Sequence, residues 1–170
     1  FILKLLLLSK IQKMNIVLIV MGKTSDNYLL SAISEYQKRL CKYIRFSIVE
    51  ISNVKQAKKR SKLEIVRDED VQISKNISPS DYVILLDEKG ESFTSFKFAK
   101  KLQNWMMMGK KRLVFVVGGP YGFSSNIYDR GNEILSLSQM TFSHQMVRVF
   151  FVEQLYRGFS ILNKEPYHHD

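Results

Sequence analysis

The sequence predicts an α/β domain of three layers with a mostly parallel sheet. Short apolar runs alternate along the chain with longer segments of helical periodicity, in the order β-α-β-α-β-α-β-α-β-α. The clearest run is 113–117, Leu-Val-Phe-Val-Val, which ends at the glycine-rich segment 118–122. A continuous apolar strand that ends in glycines is typical of a strand buried on both faces of a parallel sheet. The loop at its carboxyl end is where such sheets bind ligands.

Length and composition favour one globular domain. The chain has 170 residues, of which 45% are hydrophobic, enough for a sizeable core. The net charge of +10 favours RNA or DNA as a partner, with a basic protein that binds neither as the alternative. The single cysteine, Cys41, excludes an internal disulfide and fits the reducing cytoplasm, and we expect it in the core. Three histidines and one cysteine show no metal-ligand spacing, so no metal site is predicted.

Residues 1–13 differ in composition from the rest of the chain. They read FILKLLLLSKIQK, and their four consecutive leucines fall short of a signal-peptide core or a membrane span. Met14 then opens a strand-like run. We therefore interpret residues 1–13 as a leader or an over-extended start outside the fold. Residues 14–170 are interpreted as a single domain with no membrane partner.

In the first half of the chain, two predicted strands flank a helix. Residues 16–20 form a buried-type strand, and Ser25 or Asp26 then caps a helix. Its apolar residues repeat at helical spacing, at Leu29, Ile33, Tyr36 and Leu40. Residues 44–51 alternate between apolar and polar, which predicts a strand nearer the sheet edge. The run 55–67, with six basic residues against one acid, is either a phosphate-binding face or a solvated helix surface.

In the second half, the strands are shorter. Residues 82–86 make a third buried strand, and an amphipathic helix spans 96–108. After the strand at 113–117, a short helix is expected over about 124–135. The apolar segment 140–142 then predicts a fifth strand that feeds directly into the last helix. Two neighbouring strand ends would share a crevice there.

The last helix, at about 144–162, carries apolar residues at nearly every angle around its axis. They are Val149, Phe150, Phe151, Val152, Leu155, Phe159 and Ile161. A helix that is apolar all round must be covered all round. The sheet covers one side, and a second subunit is the simplest cover for the other, which predicts a homodimer.

No single motif in the sequence identifies a ligand or a reaction. The segment 118–122, GGPYG, lacks the spacing of a dinucleotide-binding loop and the Gly-Lys-Ser/Thr of a phosphate loop, so alone it indicates a structural turn. His144 has no acidic neighbour to orient it, and alone it indicates a helix cap or a packed histidine.

Taken together, four segments are specific. They are LLDEKGE (85–91), VVGGPYG (116–122), SLSQMTFSHQMVRVFFVEQLYR (136–157) and the tail PYHHD (166–170). In this order the chain, from Met14 onward, resembles the SPOUT class of S-adenosylmethionine-dependent RNA methyltransferases. Within that class it is similar to the RlmH family, which methylates N3 of a pseudouridine in large-subunit ribosomal RNA. The resemblance implies a C-terminal trefoil knot, S-adenosyl-L-methionine as cofactor, a homodimer, and the ribosome as partner.

The resemblance also implies site residues. For the cofactor these are Leu86, Gly118, Gly119, Ser138, Gln139, Met140, Thr141, Phe142 and Ser143. The candidates for catalysis are His144, Arg148, Tyr156, Arg157, Tyr167 and His168. In the family the tail is thought to reach across the dimer, which implies a composite site. Two positions depart from the family pattern: Ser143 replaces a proline, and His169 replaces a basic residue.

Alternatives stay open for several of these residues. Arg157 could equally pair with Glu153 one helical turn earlier, and Arg148 could pack against a partner subunit. Tyr167 and His168 have no packing role that the sequence reveals, which favours function. At the level of the whole protein, the alternatives are a knotted methyltransferase acting on another RNA such as tRNA, and a non-catalytic ribosome-binding protein of the same fold.

Overall fold

The computed structural model describes residues 14–52 and 59–168, and in it five strands alternate with five helices. The leader, residues 1–13, and residues 55–58 of the basic run lie outside the described residues. The strands are β1 (Asn15–Met21), β2 (Arg45–Ile51), β3 (Tyr82–Ser92), β4 (Arg112–Val117) and β5 (Glu133–Ser136). The helices are α1 (Asn27–Leu40), α2 (Lys62–Lys75), α3 (Ser95–Met107), α4 (Ser125–Arg130) and α5 (Met146–Leu162).

The five strands form one parallel sheet in the order β2-β1-β4-β3-β5. In the centre, Leu18 of β1 lies between Ile48 of β2 and Phe115 of β4. The predicted fold class and element order are therefore confirmed. The alternating segment 44–51 does form an edge strand, and the continuous apolar run 113–117 does lie in the middle of the sheet.

Helices cover both faces of the sheet because successive strand residues point to opposite sides. One face packs Ile16, Leu18 and Phe115 against α1, α3 and α5, whose buried side chains include Trp105 and Phe151. The other face packs against α2 and α4 through a smaller cluster. Both faces of the central strands are thus shielded from water, which explains why polar residues do not alternate with apolar ones along these strands.

The fifth strand does not lie where the sequence predicts it. Residues 140–142 belong to a loop, and the strand is β5, within the segment expected to be helical. Helix α4 ends at Arg130. Two residues later, Asn132 exchanges two hydrogen bonds with Val83 of β3. The Asn132 N–H donates to the Val83 carbonyl, and the Asn132 side-chain oxygen accepts from the Val83 N–H. This docking to β3 sets the pairing of a strand that is only 4 residues long, too short to be recognised by periodicity.

Cys41 is exposed, so its expected place in the core is wrong. Helix α1 ends at Leu40, and Cys41 is already its C-cap residue. The chain turns there, so the helical spacing that put Cys41 on the apolar face no longer applies.

Helix α5 lies against the sheet and packs against both α1 and α3. Much of the cover that its apolar surface requires therefore comes from helices of the same chain. Phe150 remains 38% exposed, and its ring packs at a tilt of 34° against Phe142, with the ring centroids 4.6 Å apart. Among the described residues, no helix has the length and apolar character needed to cross a membrane.

Candidate active site

A cavity of about 680 Å³ opens at the carboxyl ends of β4 and β5, beside the middle of β3. Three segments form its walls: 86–89 within β3, 117–123 after β4, and most of 137–144 after β5. Its volume falls in the range of small-molecule and cofactor pockets. Parallel strands end together at this edge, so residues far apart in sequence meet here. Among the described residues, no three His, Cys, Asp or Glu side chains form a group that could hold a metal ion.

The glycine loop, residues 118–123, turns back on itself directly after β4. The Gly122 N–H donates to the Gly119 carbonyl at 3.2 Å, and Gly122 has φ +75°, a conformation that favours glycine. Ser124 ends the turn by capping α4, its side chain accepting from the Ile127 N–H. The loop therefore presents backbone rather than bulky side chains at Gly118 and Gly119.

The second loop, residues 137–144, is held by hydrogen bonds within its own turn and by one to β3. The Met140 N–H donates to Ser138 Oγ at 2.9 Å, and Thr141 Oγ1 donates to Glu88 Oε2 at 3.1 Å across the cavity. Ser143 Oγ accepts from the Met146 N–H at 3.2 Å. Ser143, where the resemblance led us to expect a proline, therefore caps the start of α5 and keeps the turn closed.

The residues predicted for the cofactor come together at this cavity, except for Gln139. Those that line it are Leu86, Gly118, Gly119, Ser138, Met140, Thr141, Phe142 and Ser143. Gln139 is exposed and is absent from the described lining. Three of the four segments that the sequence singles out by resemblance, all but the tail, thus contribute to one cavity.

His144 and Arg148 lie one helical turn apart at the start of α5, in different environments. His144 lines the cavity and is exposed at its rim. Partial burial of the imidazole, together with the positive charge of Arg148, lowers the pKa of His144. Arg148 is fully buried, and it donates to the carbonyls of Met21 and His144 and to Thr24 Oγ1. These bonds hold the β1–α1 loop against the start of α5.

The other predicted catalytic residues form a second group, here called the tail cluster. It consists of Tyr36, Glu153, Tyr156, Arg157, Tyr167 and His168. Arg157 pairs with Glu153 at 2.5 Å, the pairing weighed from the sequence, and also contacts His168 Nδ1 at 3.2 Å. Tyr167 donates to Glu153 at 3.0 Å.

The tail is also tied to α1. The hydroxyl groups of Tyr167 and Tyr36 lie 3.2 Å apart, and the Tyr167 ring packs edge-on against Tyr156. The structure therefore gives Tyr167 and His168 packing contacts, with α1, α3 and α5, that the sequence did not reveal: the His168 ring packs edge-on against Phe96 of α3. Among the described residues, the tail cluster and the cavity lining have none in common.

Further side chains belong to the cavity region and were not predicted, and two of them lie on helices. Tyr128 of α4 lines the cavity and donates to Asp87 Oδ2 at 2.7 Å, and burial with this bond raises its pKa to about 12. Glu69 of α2 lies buried next to Gly119. No sequence signal marks either one, because Tyr128 is 41 residues from Asp87 and Glu69 sits in a helix of polar composition.

Comparison with known proteins identifies the family. A family model described as "Predicted SPOUT methyltransferase" matches residues 14–168. A protein of Parabacteroides distasonis named ribosomal RNA large subunit methyltransferase H is 51% identical over 157 residues, which cover 92% of this chain and 100% of the relative. Proteins of the same name from Flavobacterium psychrophilum and Porphyromonas gingivalis are 52% and 45% identical, covering 92% of this chain and 99% and 100% of theirs. With nearly its whole described length matched, the chain belongs to the SPOUT methyltransferase family.

Proposed function

We propose that this methyltransferase transfers a methyl group from S-adenosyl-L-methionine to N3 of a pseudouridine in large-subunit ribosomal RNA. The substrate is the assembled ribosome in the cytoplasm, and the enzyme acts as a homodimer. The convergence of three family segments on one cavity carries the proposal. The names of the relatives support ribosomal RNA of the large subunit as the target, and the trefoil knot follows from family membership.

The cavity fits the cofactor in size and in chemistry. Its walls combine apolar side chains such as Leu86 with backbone and small polar groups at Gly119 and Ser138, which suits an adenosine with polar edges. Bound there, S-adenosyl-L-methionine supplies an electrophilic methyl group. Asp87 at the end of the apolar part of β3 is placed to accept hydrogen bonds from ribose hydroxyl groups, with Tyr128 fixing its carboxylate.

His144 and Arg148 have separate roles in this proposal. Methyl transfer to N3 requires loss of the imide proton and alignment of the nitrogen with the methyl carbon. His144 at the cavity rim is the side chain placed to accept that proton, and its lowered pKa keeps it neutral. Arg148 has no exposed surface with which to touch RNA, so it acts as a positioning residue for the start of α5.

The tail cluster joins the site through the second subunit. Its members Arg157, Tyr167 and His168 are not part of the cavity lining of the same chain. A homodimer that places the tail cluster of one subunit at the cavity of the other would complete the site, as the family resemblance implies. The exposed Phe150 and the partly covered surface of α5 are the apolar area available for that interface.

The experiment has two stages. First, calorimetry measures S-adenosylhomocysteine binding, where we expect one site per subunit for wild type. A Thr141→Trp variant, which places an indole in the cavity, should lose it, whereas Leu63→Trp, at a residue 73% exposed on α2, should not. Second, methyl transfer is measured to ribosomes that lack the modification and to bulk tRNA. Transfer to tRNA alone would redirect the proposal to another RNA, and absence of cofactor binding would leave the non-catalytic alternative.

A further inference from the structure

A buried carboxylate lies against the glycine loop. Glu69, in the middle of α2, is only 5% exposed, although it carries an ionisable side chain. Burial raises the pKa of Glu69, and the nearby Gly119 N–H partly offsets that rise. Its Oε2 atom has no partner among the described residues. Burying a carboxylate carries a free-energy cost, so its presence at this place calls for a functional explanation.

The carboxylate occupies the space that a side chain at residue 119 would need. A Cβ atom built on Gly119 would lie 2.6 Å from Glu69 Cδ, far inside van der Waals contact. Gly119 does not have a positive φ, so its backbone conformation does not itself require glycine. The missing side chain would point to Glu69 rather than into the cavity, because Glu69 is not part of the cavity lining.

The neighbouring residue of α2 holds the other end of the same loop. Asp70 Oδ2 accepts from Ser124 Oγ at 2.9 Å and from Asn126 Nδ2 at 3.2 Å. Ser124 is the cap of α4, at the point where the glycine loop ends. Two consecutive acidic residues of one helix thus contact the start and the end of the loop.

We propose that Glu69 is a positioning residue for the cofactor, and that Gly119 is glycine because the Glu69 carboxylate must fit beneath it. The carboxylate fixes the orientation of the Gly119 peptide, while Asp70 anchors the loop end. The inference rests on the proposed cofactor site. It differs from the usual explanation of such a glycine, in which the ligand itself needs the space.

Four variants test this by S-adenosylhomocysteine calorimetry. Glu69→Ala should weaken binding about tenfold, because the Gly119 peptide loses the carboxylate that lies against it. Glu69→Gln, which keeps an acceptor oxygen of nearly the same shape, should stay within about threefold of wild type. Gly119→Ala should weaken binding by at least about tenfold. The double variant Gly119→Ala/Glu69→Ala should bind no more weakly than Glu69→Ala alone, because the collision is gone.

Gly118→Ala is the matched control. A Cβ on Gly118 meets the Phe123 ring at 3.0 Å and not Glu69, so adding Glu69→Ala should not rescue it. If the ligand is what requires glycine at residue 119, the double variant will show both losses together, about a hundredfold, and the inference is overturned. Wild-type affinity in Glu69→Ala would overturn it as well.

A second measurement does not depend on the cofactor. Amide hydrogen exchange of the peptide covering residues 118–123, in the ligand-free protein, should speed up about tenfold in Glu69→Ala and remain near wild type in Glu69→Gln. Unchanged exchange in Glu69→Ala overturns the role of Glu69. Faster exchange in a protein whose wild type binds no S-adenosylhomocysteine would leave the loop contact standing and remove the proposed function instead.

Discussion

The cavity and the tail cluster hold the predicted functional residues in two different ways. The cavity is built mainly from loops at strand ends, and backbone groups and small side chains contribute much of its surface. The tail cluster is built from long polar side chains on α1, α5 and the tail, joined by hydrogen bonds between residues up to 131 positions apart. Of these two regions, the cavity is the one whose walls enclose the volume of a small molecule.

This difference predicts that the cavity and the tail cluster have separate functions. A site of fixed loops is suited to hold a cofactor, whereas a network of ionisable side chains is suited to contact RNA or to assist proton transfer. Variants of the loops should therefore change cofactor affinity, and variants of the tail cluster should change turnover. His144 is the residue that tests this separation, because it lines the cavity but is proposed to act on the substrate.

The largest effect is expected for His144. His144→Gln should lower kcat for ribosome methylation by about a hundredfold, because a general base typically contributes that much or more. The affinity for S-adenosylhomocysteine should stay within about threefold, as the loop backbone is unchanged. Single-turnover methylation and calorimetry measure the two quantities. An affinity loss as large as the kcat loss would assign His144 to cofactor binding.

The pH dependence of stability and of kcat tests whether the environment of His144 lowers its pKa. Its pKa in the folded protein is lowered below the unfolded value of about 6.5, so in the interval between the two values the unfolded chain binds more protons. The contribution of His144 to the free energy of unfolding is fully present above about pH 6.5 and is lost as the pH falls through the lowered pKa. The kcat of wild type should likewise fall only on acidification below about pH 6.5. Urea unfolding and a pH–rate profile of wild type and His144→Gln measure both.

Most of the fold was predictable because the strong signals are local. Each of these strands has the same kind of surroundings along its whole length, so its burial shows directly in its sequence pattern. This holds for the buried run 113–117 and for the edge strand in 44–51. Strand β5 was misplaced because 4 residues carry no usable period, and its position depends on Asn132 binding to Val83. Cys41 was misplaced because a helical pattern does not mark the residue at which the helix ends.

The site was predictable to the extent that it consists of contiguous loops. The segments at 118–122 and 138–143 could be transferred by resemblance, and their lining side chains meet at one cavity. Glu69 and Tyr128 could not be found, because each contacts a residue far away in the sequence and neither departs from the composition of an ordinary helix surface. The tail contacts of Tyr167 with Tyr36 likewise link the two ends of the chain.

A smaller effect is expected within the tail cluster. Tyr167→Phe removes the hydroxyl that contacts Tyr36 and donates to Glu153, and kcat should fall about tenfold as Glu153 and Arg157 lose their fixed arrangement. Cofactor affinity should not change. Tyr43→Phe is the control, since the Tyr43 hydroxyl contacts the tail at Glu165, outside the cluster. Equal losses in both variants would indicate that the tail only needs to be docked.

The smallest effect concerns the described part of the basic run, where the cavity meets solvent. Lys62 Nζ lies 5.5 Å from the centre of the Tyr121 ring, which lines the cavity and is 45% exposed. Lys62→Glu should weaken ribosome binding by roughly threefold to tenfold and reduce its salt dependence, with cofactor affinity unchanged. Lys75→Glu, at the opposite end of α2, is the matched control. Equal weakening by both variants would mean that only net charge matters, whereas an effect of Lys62 alone would place the RNA beside the glycine loop.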